Sequence, residues 1–112
     1  MPKEYEDLVK ALLESGIPFA EYAWKTSPES TYGVISLEFE AEHLDADDGK
    51  QFRAWEGSID VYFRKLADRV EITETVESIL EEYCAASWRA ESYQYESTTG
   101  LFHKEWVFQV EE

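Results

Sequence analysis

The sequence predicts an α+β fold, a mostly antiparallel sheet of about five strands with two helices packed on one face. Three observations carry this: two segments space their apolar residues at helical intervals, five shorter ones alternate apolar with polar, and a four-residue turn joins the last two. The predicted order is helix, three strands, helix, two strands.

Tyr5, Leu8, Val9, Leu12 and Leu13 recur at helical spacing, with Glu4, Glu6, Asp7, Lys10 and Glu14 on the other side, which predicts a helix over 3–15. Gly16, a left-handed cap, and Pro18, which cannot continue the ladder, end it. From Pro18, Ala20, Tyr22 and Trp24 alternate with Phe19, Glu21, Ala23 and Lys25 as a first strand, and 26–30 is a loop. Thr31 to Glu42 sends Ile35, Leu37 and Phe39 one way and Ser36, Glu38 and Glu40 the other. The polar stretch His43 to Lys50 suits a hairpin tip. From Phe52 the alternation resumes, with Trp55, Gly57, Ile59, Val61 and Phe63 opposed to Glu56, Ser58, Asp60, Tyr62 and Arg64, so strands two and three form a hairpin.

Asp68 and Glu71 have the spacing of a capping box, and Ile72, Val76, Ile79, Leu80 and Tyr83 continue a helix to about Ala86. Glu71, Glu74, Glu77, Glu81 and Glu82 cover its other side. The closing strands are Trp88 to Glu96 and Leu101 to Val110, the latter sending Phe102, Trp106, Phe108 and Val110 to one side.

A length of 112 residues leads us to expect a single domain over 1–112, since domains usually run to about 100–150 residues. The chain is 44% hydrophobic and 15% aromatic, enough apolar bulk to offset the entropy of ordering it. Its formal net charge of −15 repels phosphate backbones and anionic lipid, so neither direct sequence-specific nucleic-acid binding nor a membrane is expected. A lone cysteine, Cys84, offers no internal disulfide and no thiolate cage, which fits a reducing compartment. The first residues carry no basic segment leading into an apolar run, so no targeting signal is expected.

Candidate chemistry is sparse. His43 and His103 are the only histidines, and neither has a nucleophile and an orienting carboxylate at a recognisable spacing. His103, on the strand face opposite Phe102 and Trp106, is read as a surface or interface histidine. Cys84, late in the second helix, is read as a small buried hydrophobe. Asp45, Asp47, Asp48 and Gly49 have the acidity of a calcium loop, but glycine falls at the fifth position rather than the sixth and strands flank the run. No metal, cofactor or catalytic residue is expected. Tyr93 and Tyr95 are placed with Arg89 on one face of their strand and Trp88 on the other, more aromatic surface than one small domain hides. The candidate interface is therefore Asp45, Asp47, Asp48, Lys50, Tyr93, Tyr95 and His103.

The segments Tyr32-Gly33-Val34-Ile35-Ser36-Leu37-Glu38, Asp48-Gly49-Lys50, Trp55-Glu56-Gly57-Ser58-Ile59-Asp60-Val61-Tyr62, Val76-Glu77-Ser78-Ile79-Leu80 and Thr99 to Phe108 make the chain resemble a family. That family is the small tail-completion proteins of long, non-contractile-tailed phages and prophages, the tail-terminator or tail-to-head joining class. The resemblance spans nearly the whole chain and rests on element order and strand signatures. It implies a structural protein, not an enzyme, that forms a homo-oligomeric ring, commonly a hexamer, at the head-proximal end of the tail tube. The implied partners are further copies of itself, the major tail tube protein and the head connector. The implied location is the virion tail, with the host cytoplasm during assembly. An acidic lumen would let a genome slide past without sticking. The rival reading is an acidic protein-binding module of the nucleic-acid-mimic type acting on a host partner, which would need its carboxylates laid along one surface.

Overall fold

In the computed structural model the described residues are 2–44, 51–84 and 87–111, and the elements run α1 (Lys3–Leu13), β1 (Phe19–Glu21), β2 (Tyr32–Leu44), β3 (Gln51–Phe63), α2 (Arg69–Cys84), β4 (Trp88–Glu96) and β5 (Leu101–Glu111). The predicted α+β order is the observed one. The five strands form one sheet in the order β1-β2-β3-β5-β4. Three of its four pairings are antiparallel, while β1 runs parallel to β2, so the sheet is mixed.

The first strand is much shorter than its alternation suggests. Tyr22 takes a φ of 65°, a left-handed conformation that halts the extended chain, and Trp24 folds back to donate from Nε1 to the Gly33 carbonyl at 2.9 Å. The hairpin of β2 and β3 pairs from Tyr32 with Tyr62 out to Leu44 with Gln51, so residues 43 and 44 belong to a strand and not to the tip. β1 covers only Gly33 to Ile35 of β2, and β5 begins its pairing with β3 at Ala54. Beyond those points the hairpin continues as a two-stranded arm, in a molecule 50 Å long and 24 × 22 Å across.

α1 ends as its punctuation predicts: Gly16 has a φ of 94°, and the Ser15 hydroxyl donates to the Leu12 carbonyl at 2.6 Å. Tyr5, Leu8, Val9 and Leu12 are buried, whereas Leu13 falls on the solvent side. The capping box does not form. A 3-10 turn over Leu66–Asp68 leads into α2, and among the described residues Asp68 makes no side-chain hydrogen bond to Glu71. Asp68 is already inside helical structure and so cannot occupy the extended conformation of an N-cap. α2 buries Ile72, Val76, Leu80 and Cys84, one per turn.

Both helices pack on the same side of the sheet. Ile35 and Leu37 of β2, Ile59, Val61 and Phe63 of β3, and Trp106, Phe108 and Val110 of β5 face them in one core. Each such side chain taken fully out of water contributes about 1.5–3 kcal/mol. Lys104, on the same face of β5, is buried beneath α2. Its Nζ donates to Thr73 Oγ1 at 3.2 Å and lies 3.9 Å from Glu77, whose carboxylate also accepts from Trp106 Nε1 at 2.9 Å. This pairing offsets the cost of burying the ammonium and ties α2 to β5 at one rotation.

β4 departs from simple alternation. Ala90 pairs with Trp106 but Ser92 pairs with Glu105, a bulge at Glu91 that reverses which side chains face the helices. Tyr93 and Tyr95 therefore share the helix side with Trp88, and Arg89 lies on the opposite face. The expectation that Trp88 opposes the tyrosines is overturned by that one extra residue.

Gly57 lies opposite Phe108 in the ladder, and a Cβ there would sit 2.6 Å from Phe108 Cζ and against the Ser36 carbonyl. Gly57→Ala should destabilise the fold by about 1–3 kcal/mol, read as a lower midpoint in urea at an unchanged slope.

Candidate functional site

The sheet face turned away from the helices is the candidate site. Across the central strands it carries Ser36 and Glu38 of β2, Ser58, Asp60 and Tyr62 of β3, and His103, Glu105 and Val107 of β5. Alternation brings these side chains out on one side, and the ladder aligns them: Tyr62 stands opposite His103, and Asp60 opposite Glu105.

Four aromatic rings run across this face. Trp24 meets Tyr32 edge-on with centroids 6.3 Å apart, Tyr32 stacks on Tyr62 at 5.0 Å, and Tyr62 stacks on His103 at 4.2 Å. His103 Nε2 lies 2.6 Å from Asp60 Oδ1, and its Nδ1 lies 3.4 Å from Glu96 Oε2 without the alignment of a hydrogen bond. Next to them the Ser58 hydroxyl donates to Glu38 at 2.8 Å.

Burial alone would lower the His103 pKa, since it disfavours the imidazolium. The hydrogen bond to Asp60, with the charges of Asp60, Glu96 and Glu105, outweighs that effect and raises it above the ordinary value. Glu105 is raised too, first by burial and then by the Asp60 charge. Burial and the Asp60 and Glu96 charges push the Tyr62 hydroxyl up to about 12, which keeps it protonated. The result is an imidazole whose protonated form is favoured, held among three carboxyl groups and stacked on a neutral phenol. It can fix the lie of the face, but it presents no activated nucleophile.

The sequence-predicted residues do not converge on one place. His103 is on this face, while Tyr93 and Tyr95 are on the helix side, where Tyr93 stacks with Phe63 and Phe102 and lies under the Arg69 guanidinium at 4.1 Å. Asp45, Asp47, Asp48 and Lys50 lie outside the described residues. Cys84 is buried as expected, and burial pushes its thiol up to about 12. Asp60, Tyr62, Glu96 and Glu105 were not singled out from sequence. The alternation puts Asp60 and Tyr62 on the polar side of their strand, but only the pairing register brings His103 to them.

Among the described residues no group of three or more histidine, cysteine or acidic side chains is arranged to hold a metal ion. A depression of about 380 Å³ between α1 and β1 is lined by Tyr5, Glu6, Val9, Lys10, Leu13 and Glu21. The Tyr5 hydroxyl there donates to Glu21 at 2.9 Å, and burial raises its pKa far above the ordinary phenol value. No described helix is long and apolar enough to cross a membrane.

Neither a protein-family model nor a curated protein matches the chain. Among solved structures, a chain from the virion of a native gene transfer agent particle is similar in path, with a TM-score of 0.49 and 12% identity over 96% of this chain and 90% of that one. A likeness of that degree assigns neither a family nor a role.

The His103 clamp predicts a pH dependence. Its folded pKa lies above the unfolded value of 6.5, so its contribution is fully present below that value and is lost as pH rises through the folded one. Glu105, also raised, acts in the same direction at lower pH. Asp60→Asn should cost about 1–2 kcal/mol at pH 6 and flatten the decline toward alkaline pH, measured by urea unfolding across a pH series.

Proposed function

We propose that the chain is a non-catalytic structural protein of phage tail assembly, forming a ring at the head-proximal end of the tail tube as a tail terminator or head-to-tail joining subunit. The observation that supports this most directly is the sheet face left uncovered by both helices, where aromatic and charged side chains, most of them half-buried, have no described helix or strand above them. An arrangement of that kind suits contact with another protein surface. The two-stranded arm of β2 and β3 supports the same reading, because an isolated ribbon is only marginally stable in water and gains by resting on a neighbour. The expected partners are copies of itself, the major tail tube protein and the head connector, in the virion tail.

The acidic-module reading fits the charge less well. Besides the carboxylates of the uncovered face, Glu71, Glu74, Glu81 and Glu82 lie on the exposed part of α2, across the sheet, so the acids are split between two sides. A mimic of a phosphate backbone would gather them along one.

The test is removal of the gene from a strain that produces the particles. Electron microscopy should then show tails of uncontrolled length or tails detached from heads. Normal tails joined to heads would refute the role.

A further inference from the structure

The molecule carries a second unusual surface, on the helix side at the same end of the sheet as His103. Leu66, Arg69 and Val70 occupy one side of the 3-10 turn and the first turn of α2, and Leu66 and Val70 are 58% and 65% exposed. Arg69 lies over Tyr93, and Tyr95, two residues along on the same strand face, leans on Phe102 while remaining 57% exposed. Large apolar side chains normally meet solvent singly. Here they accompany a guanidinium in a chain with only 10 Lys and Arg against 25 acids.

The uncovered face is its chemical complement. Glu38, Glu96 and Glu105 offer carboxylates there, and Val34, Val107 and Tyr32 offer apolar surface beside them. Arg89 lies at the margin of this face, on the edge strand β4 and paired with Glu91, so two copies meeting through its centre would oppose carboxylate to carboxylate. Two meeting through the Arg69 patch alone would oppose one guanidinium to another. The unlike pairing sets the Arg69 guanidinium against the carboxylates at the centre of the uncovered face while burying apolar area on both sides.

We propose that these surfaces are the two halves of one head-to-tail contact: the Leu66, Arg69, Val70 and Tyr95 patch of one copy seats on the uncovered sheet face of the next. This rests on the assembly role above and specifies how its subunits join. Such a contact is heterologous, so each copy keeps one free half, and repetition closes a ring or extends a filament according to the rotation per step. The overall repulsion between acidic copies fades within about 8 Å at 0.15 M salt, leaving the local charges to set orientation. The arrangement also accounts for Tyr95 and His103 lying on opposite sides of the sheet, since each faces a different neighbour.

The experiment is sedimentation velocity of the full chain over a concentration series at about 0.15 M salt. Wild type should self-associate. Arg69→Glu with Val70→Glu, and separately Glu38→Lys with Glu105→Lys, should each remain monomeric while keeping the near-ultraviolet circular dichroism of wild type. Mixed, the two variants should form a 1:1 dimer and nothing larger, because each supplies the half the other lacks. If a double variant does not fold, the milder Arg69→Gln and Glu105→Gln should each weaken association about tenfold. A wild type that stays monomeric, either double variant associating like wild type, or a mixture that stays monomeric overturns the contact. A monomeric wild type whose removal still gives overlong or detached tails would sink this contact and keep the assembly role. Self-association through these surfaces with normal tails after removal would do the reverse.

Discussion

Side chains leave a strand on alternate sides, and in β3 and β5 most of the large apolar ones leave on the same side. Ile59, Val61 and Phe63 meet Trp106, Phe108 and Val110 beneath the two helices, and every one of them is buried. Once that face is committed, the helices have no other place to bury their own apolar stripes. The opposite face is then left to Ser58, Asp60, Tyr62, His103 and Glu105, whose properties would be unsuitable under a helix. One-sided burial thus creates both the stability of the sheet and the surface that is free to meet something else.

That surface is ordered rather than merely polar. His103 lies between Asp60 and Glu96, with side-chain exposures of 13%, 20% and 30%. It hydrogen-bonds Asp60 and stacks on Tyr62, which in turn stacks on Tyr32. The face therefore has a fixed relief at a modest entropy cost, a property that favours specific contact over diffuse attraction. The sheet edges are guarded against the less specific alternative of strand-to-strand pairing. β1 is only three residues long, and β4 has its bulge at Glu91, with Arg89 and Glu91 paired at 3.0 Å beside it.

Much of this was legible in the residues. Helical spacing marks α1 and α2, and period-two alternation marks β2, β3 and β5, because each reports one apolar face repeated over many residues. Gly16 marks the end of α1 for a local steric reason. What escaped was set by single residues or by pairing. A left-handed Tyr22 cuts β1 short although the alternation continues past it. One bulge residue reverses the facing of Tyr93 and Tyr95 relative to Trp88, and nothing in the composition of β4 announces it. The His103 cluster depends on register across strands about forty residues apart in sequence, and linear spacing cannot supply that.

The order of the strands also bears on how the chain reaches this state. The hairpin of β2 with β3 and that of β4 with β5 each close over a short connection, so both can zip locally. The seam between β3 and β5 joins them across the whole of α2 and is the costly step, because a long loop must be closed before any of its contacts form. Until that seam closes, the apolar side of the first hairpin has only α1 to shelter it, and the second hairpin has only α2. Collisions between unfinished chains, with one molecule's second hairpin completing another's first, are the natural hazard of this topology at high expression. The buried Lys104 would lessen it, since an ammonium on the sticky side of the second hairpin is poorly received by a partner that does not bring Glu77 and Thr73 into place with it.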